Sequence, residues 1–231
     1  MTAQLRIPAA MLGAALLQRR RRAVRHERDI VAALGEPLLA AHPSSPPAVR
    51  ALAQQLGDYW FAAGRRLLPV VALRSGAGAA ALACGLAQAL AGEGLRALLV
   101  DADLRSPRLH ARFGVPRGKG LADYLDVRGL DEVALDGNLA LVTAGTVRED
   151  PLELLSRSRL RRLLAGFAGR FDAVLLATPG AARAPDFEIF AALAGGALVY
   201  SDEGTEAGEL VALRRRLARC AARVVGTVLQ R

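Results

Sequence analysis

From Pro69 onward the hydrophobic positions fall in short, nearly continuous runs: Val70–Leu73, Ala97–Val100, Leu139–Val142, Ala173–Leu176, Ala197–Tyr200 and Val224–Leu229. Runs without polar alternation predict strands buried on both faces, as in a parallel sheet. Between most of them the apolar spacing turns helical, over Ala79–Leu90, Pro151–Ala168, Pro185–Leu193 and Glu206–Ala222. Alternating strand and helix predicts an α/β fold, a doubly wound and mostly parallel sheet with helices on both faces. Before Pro69 the pattern differs. Residues 1 to about 41 read as helical and basic, and His42-Pro43-Ser44-Ser45-Pro46-Pro47 reads as a linker. Val49, Leu52, Leu56, Tyr59, Trp60, Ala63 and Leu67 keep helical spacing, so an amphipathic helix is expected to lead into the sheet. The chain thus divides into a helical extension, 1–46, and an α/β domain, 47–231.

The first predicted strand runs into Arg74-Ser75-Gly76-Ala77-Gly78-Ala79-Ala80 and then a helix. Strand, glycine loop, helix is the layout of a phosphate cradle at a strand's carboxyl end. A P-loop in this frame reads G-x-G-K-[ST]; here Ala79 stands at the lysine and Ala80 at the magnesium-holding hydroxyl. The second strand exits into Asp101-Ala102-Asp103-Leu104-Arg105. Carboxylates at i and i+2 on a strand exit can approach one magnesium ion or one attacking hydroxyl, and Arg105 is placed to balance their charge. Thr178-Pro179-Gly180 follows a later strand and is expected at the same edge. The loop also fits a dinucleotide fingerprint, Gly76-x-Gly78-x-x-Ala81, with Asp101 as the ribose-binding acid of an NAD(P) site. Against that reading, Lys119 is the only lysine and no hydride-transfer constellation accompanies it.

Charge changes the picture at the amino terminus. The formal net charge is +9, and six arginines (Arg19, Arg20, Arg21, Arg22, Arg25 and Arg28) follow the apolar run Pro8–Leu17. Ten apolar residues are too few to span a bilayer, which takes about 20. A short apolar face followed by basic residues suits an anionic membrane surface or a membrane partner. No recognition motif accompanies the charge, so nucleic acid is not expected. The two cysteines, Cys84 and Cys220, lie far apart in apolar helical stretches and read as buried thiols of a reducing compartment, with no disulfide framework.

The segments taken in order resemble the cytoplasmic domain of the bacterial tyrosine kinases (BY-kinases) that control polysaccharide chain length, relatives of the MinD and ParA deviant-Walker ATPases. Asp101, Asp103 and Arg105 fill that family's D-x-D-x-R segment, followed by Pro107, His110, Phe113 and Gly114. Gly120-Leu121-Ala122-Asp123-Tyr124-Leu125, Ala144-Gly145 with Asp150-Pro151-Leu152-Glu153-Leu154-Leu155, Phe171-Asp172-Ala173-Val174-Leu175-Leu176-Ala177-Thr178-Pro179, and Gly226-Thr227-Val228-Leu229-Gln230 resemble its later motifs. Within the extension, Arg28-Asp29-Ile30 through Leu39 resembles the stretch that follows a membrane helix in fused chain-length regulators.

Departures from the family pattern carry the functional expectation. Besides Ala79 and Ala80, the Walker B aspartate is Ala177, and the terminal asparagine is Gln230. The family's ring-forming E-x-x-R-x-x-R falls on Pro47, Arg50 and Ala53, which puts ring assembly in doubt, and no tyrosine-rich tail follows Arg231 within this sequence. The resemblance therefore implies a protein without catalysis, docking on an inner-membrane polysaccharide co-polymerase or export component from the cytoplasmic side. Arg74, where MinD-type loops carry a signature lysine, leaves the loop a route to weak ATP or ADP binding. The alternatives are an active autokinase or ATPase with atypical residues, and the NAD(P) protein above.

Overall fold

A computed structural model describes residues 27–34, 38–41, 45–74, 76–202 and 204–230. The apolar run Pro8–Leu17, the arginines Arg19–Arg25 and Ser75 of the glycine loop lie outside the described residues. In chain order the elements are α1 (Glu27–Leu34), β1 (Leu38–Ala41), α2 (Pro46–Leu56), β2 (Leu67–Ala72), α3 (Gly76–Gly92), β3 (Ala97–Asp101), α4 (Leu109–Arg112), α5 (Leu121–Leu125), β4 (Val133–Asp136), β5 (Leu139–Val142), α6 (Pro151–Ser156), α7 (Ser158–Arg170), β6 (Ala173–Ala177), α8 (Asp186–Ala194), β7 (Gly196–Asp202), α9 (Ala207–Arg219) and β8 (Arg223–Gln230).

The eight strands form one sheet in the order β1-β8-β7-β2-β6-β3-β5-β4. Every pairing is parallel except that of the edge strand β4 with β5. The central strands are buried on both faces because successive residues serve different layers. Val70 and Ala72 join the cluster under α2 and α3, while Val71 joins the cluster under α1, α8 and α9. Leu98, Val100, Val174 and Leu176 join a third cluster with α5, α6 and α7. All six predicted runs are strands, so the expected doubly wound α/β fold is what the chain adopts.

Three local expectations change. The stretch read as helical to about residue 41 contains β1, which pairs in parallel with β8; sheet pairing overrides the helix preference of a Leu-Ala sequence. Pro46 and Pro47, read as linker, open α2, where Ser45 caps the helix through its hydroxyl and a proline at the first turn loses no bond. The lead helix also stops earlier than its spacing implies. A π-helical turn over Gly57–Phe61 ends it, leaving Trp60 buried and Tyr59 54% exposed, and Leu67 begins β2. Trp60 Nε1 donates to the Leu67 carbonyl at 3.0 Å, tying that turn to the sheet.

Cys84 is buried and its thiol is pushed up to about 11 by burial. Cys220, expected buried within a helix, instead ends α9 at the helix's carboxyl terminus and is only half-buried; both thiols are free. Among the described residues no helix is long and apolar enough to cross a membrane.

Candidate functional site

The parallel strands bring the singled-out segments to one edge. β6 lies directly between β2 and β3, with Ala177 in register with Val70 on one side and Asp101 on the other. Ala177 thus sits on the strand next to the loop-bearing strand, and Asp101 on the strand beyond it. Asp103 closes the gap from above. A Cβ placed on Gly76 would lie 3.0 Å from Asp103 Oδ2 and 3.3 Å from the Thr178 carbonyl. Thr178 joins the site as expected, with Oγ1 donating to the Val70 carbonyl at 2.9 Å.

The glycine segment is helical from Gly76, so α3 begins at the first glycine. Gly78 meets a residue the sequence reading did not select. A Cβ there would fall 2.4–2.7 Å from the ring and hydroxyl of Tyr200, at the end of β7. The ring packs on the bare backbone of the first turn of α3, and burial raises its phenol above the ordinary range. Both glycines thus have packing reasons to be glycine that involve no phosphate. We expect Gly78→Ala to cost about 1–2 kcal/mol by overpacking, but to be neutral or stabilising in a Tyr200→Ala background. There only the helix preference of alanine over glycine, about 1 kcal/mol, remains. Urea midpoints of the four proteins in this cycle measure the coupling.

At the positions that would carry charge toward a phosphate, Ala79, Ala80 and Ala177 are 0%, 9% and 1% exposed and belong to the apolar cluster beneath α3. Arg74 is turned toward α9. Its Nη2 donates to Glu209 Oε2 at 3.0 Å and to the Gly204 carbonyl at 2.7 Å.

The acidic segment is engaged locally. Asp101 Oδ2 accepts from the amides of Arg108 and Leu109, both at 2.9 Å, capping α4. Burial raises this carboxyl to about 6, outweighing those two amide bonds. Asp103 Oδ1 accepts from the amides of Arg105 and Ser106. Arg105 does not serve as the balancing charge for these two acids. It forks onto Asp186 at the start of α8, Nε to Oδ2 at 2.8 Å and Nη2 to Oδ1 at 3.0 Å, and Asp186 is 0% exposed. Asp186 carries the local signal of an acid in a helix's first turn after Pro185, but nothing in the sequence pairs it with Arg105.

Two other segments meet nearby. Asp123 accepts from the Gly120 and Thr146 amides and from Arg128 Nε. Burial alone would raise its carboxyl, yet these donors together hold it below the ordinary value. Gly120 packs against the backbone of Thr143–Gly145, so the Gly120–Leu125 and Ala144-Gly145 segments are one knot at the exit of β5.

Similarity to known proteins agrees with this arrangement. No protein-family model matches the chain. The tyrosine-protein kinase YwqD of Bacillus subtilis is 30% identical over 159 residues, covering 67% of this chain and 67% of that protein. This chain belongs to the bacterial tyrosine kinase family. EpsB of Ralstonia solanacearum is 33% identical over 168 residues, which cover 70% of this chain. The BY-kinase-like region is only part of such relatives, since the match spans 22% of EpsB. Among solved structures, the BceF tyrosine kinase domain superposes with a TM-score of 0.80 at 22% identity, covering 90% of this chain and 99% of that one. The MinD protein of Pyrococcus horikoshii, solved with Mg-ADP, superposes with a TM-score of 0.58 at 20% identity over 71% of this chain and 69% of its own.

Proposed function

We propose that this chain is a catalytically silent BY-kinase-like protein. In this reading it is an interaction or regulatory subunit of exopolysaccharide or capsule biosynthesis and export, docked on an inner-membrane polysaccharide co-polymerase or an export component. The observation that carries the reading is the replacement of three charge-placing positions by buried alanines, Ala79, Ala80 and Ala177. Phosphoryl transfer depends on positioning and electrostatic stabilisation, supplied by magnesium and a lysine at the phosphates. Alanines at these positions offer neither a cation nor a magnesium ligand. The kinase relatives support the pathway, and the N-terminal arginines support the membrane-proximal location.

The residues still present fit a magnesium nucleotide poorly. Asp101 Oδ2 and Asp103 Oδ1 accept backbone amides, Ala79, Ala80 and Ala177 offer no ligand, and Arg74 pairs with Glu209. Titration of Mg-ATP into the purified protein is expected to give no saturable heat in the range where enzymes work, about 1 µM–1 mM. The combined Ala79→Lys, Ala80→Ser, Ala177→Asp variant is expected to bind more tightly than wild type. Saturable micromolar binding by the wild-type chain contradicts the reading.

A further inference from the structure

Among the described residues only two that are not glycine have a positive φ, Ala221 at 57° and Val127 at 65°. A β-branched residue is poorly suited to that region, because its side chain crowds the neighbouring carbonyl. Val127 is held there by the end of α5. The Arg128 amide donates to the Asp123 carbonyl at 2.7 Å and the Val127 amide to that of Tyr124 at 3.1 Å, which is a Schellman turn. The residue at Val127's place in such a turn is usually glycine. Valine gains nothing from the fold in return. Its side chain is 70% exposed, more than any other large hydrophobic residue described, and it joins none of the apolar clusters. A strained residue that packs against nothing points to a use outside the fold itself.

The surroundings of Val127 form one face. Arg128 Nη2 donates to the Thr146 carbonyl at 3.1 Å, which holds the loop leading to Val147 and Arg148 beside the turn. Arg157 Nη1 donates to the Leu125 carbonyl at 3.1 Å, which brings in the end of α6, the helix that carries Leu152, 38% exposed. Tyr124 and Val147 are half-buried there. Lys119 lies alongside too, since a Cβ on Gly129 would sit 3.5 Å from its Cδ. Arg128 and Arg157 are already paired, with Asp123, Asp126 and Glu149. That leaves two exposed cations, Lys119 and Arg148, and two exposed acids, Asp131 and Glu153, none of them in an ion pair among the described residues.

We propose that this face pairs with the same face of a second copy of the chain, with the two Val127 side chains close to the two-fold axis. Charge complementarity argues for the occupant. A two-fold interface joins a patch to itself, so the patch must complement itself. Here the unpaired charges are balanced, and Lys119 and Arg148 of one copy can face Asp131 and Glu153 of the other around an apolar centre. An anionic bilayer or a nucleic acid would meet the two acids as well as the two cations. The contact differs from ring assembly through the lead helix, because α2 covers one face of the sheet and α5, α6 and α7 the other. It does not depend on the absence of catalysis.

The test is sedimentation velocity of the purified full chain, without nucleotide, across the concentrations at which a modest interface forms, about 1–100 µM. The wild-type mean mass is expected to rise with concentration toward that of two copies. Val127→Gly is expected to weaken association at least ~10-fold, since each pair loses two apolar side chains. The same variant is expected to raise Tm by ~2–4 °C, because glycine relieves the strain. Val127→Asn, which the left-handed region tolerates, is expected to weaken association equally and shows that the loss does not come from a looser turn. Arg50→Ala on α2 is expected to leave association unchanged. A wild-type chain that stays monomeric, undiminished association in both Val127 variants, association lost in Arg50→Ala, or a lower Tm in Val127→Gly would each overturn the proposal. None of these readings involves ATP turnover, so they stand apart from the test of catalytic silence.

Discussion

Arg105→Ala is expected to destabilise the protein by about 3 kcal/mol, near the lower end of the cost of orphaning a buried charge. Asp186 is 0% exposed and receives both arms of the Arg105 fork. Without the guanidinium its carboxylate remains in the interior with only the amino terminus of α8 as compensation, which moderates the loss. Removing both charges is different: Arg105→Met with Asp186→Leu is expected to recover most of the stability, because the desolvation cost disappears with the pair. Denaturant midpoints for the two single variants and the double variant test this. The outcome bears on function, since an arginine whose main work is to neutralise Asp186 can persist in the D-x-D-x-R segment without any phosphate to bind. If Arg105→Ala were neutral, the fork would not be the reason for that arginine.

Asp101→Asn is expected to stabilise the protein at pH 7.5, by about 3 kcal/mol at most, and to do nothing near pH 3. The folded carboxyl titrates at about 6 against an ordinary 3.8, because burial disfavours its charge. Between those values the native state holds a proton that the unfolded chain has released. Stability therefore falls as pH rises from about 4 to about 6, by roughly 1.4 kcal/mol per unit. Asparagine keeps an oxygen for the amides of Arg108 and Leu109 and carries no charge, so the variant loses this pH dependence. Thermal unfolding of both proteins across that window makes the comparison.

The sheet was legible because its strands are continuous apolar runs, and each predicted run is a strand in the structure. What escaped were segments whose fate is decided by neighbours distant in sequence. β1 is a Leu-Ala stretch that only pairing with β8 makes extended. β4 is four residues of alternating burial between acidic positions. The predicted helix Pro151–Ala168 divides into α6 and α7 at Arg157, which is extended at φ −67°, ψ 141° with no proline or glycine to announce it. At the site, Ala79, Ala80 and Ala177 were legible because the argument needs only their identity. The Arg105–Asp186 fork spans 81 residues of sequence and Arg74–Glu209 spans 135, so no local pattern could reveal either. Tyr200 did leave a signal, a tyrosine ending an apolar run at the carboxyl edge, but its ring against Gly78 is a matter of packing.

The claim that the chain is catalytically silent is tested most directly by steady-state ATP hydrolysis and tyrosine phosphorylation with the purified protein, alone and with the proposed co-polymerase partner, beside Asp101→Asn. Loss of a single comparable transition-state group commonly costs about 10²–10³ in rate, and here three positions are alanine. The account predicts no magnesium-dependent phosphate release or phosphotyrosine above the level of the Asp101→Asn variant. Magnesium-dependent turnover by the wild-type chain that Asp101→Asn abolishes would contradict it.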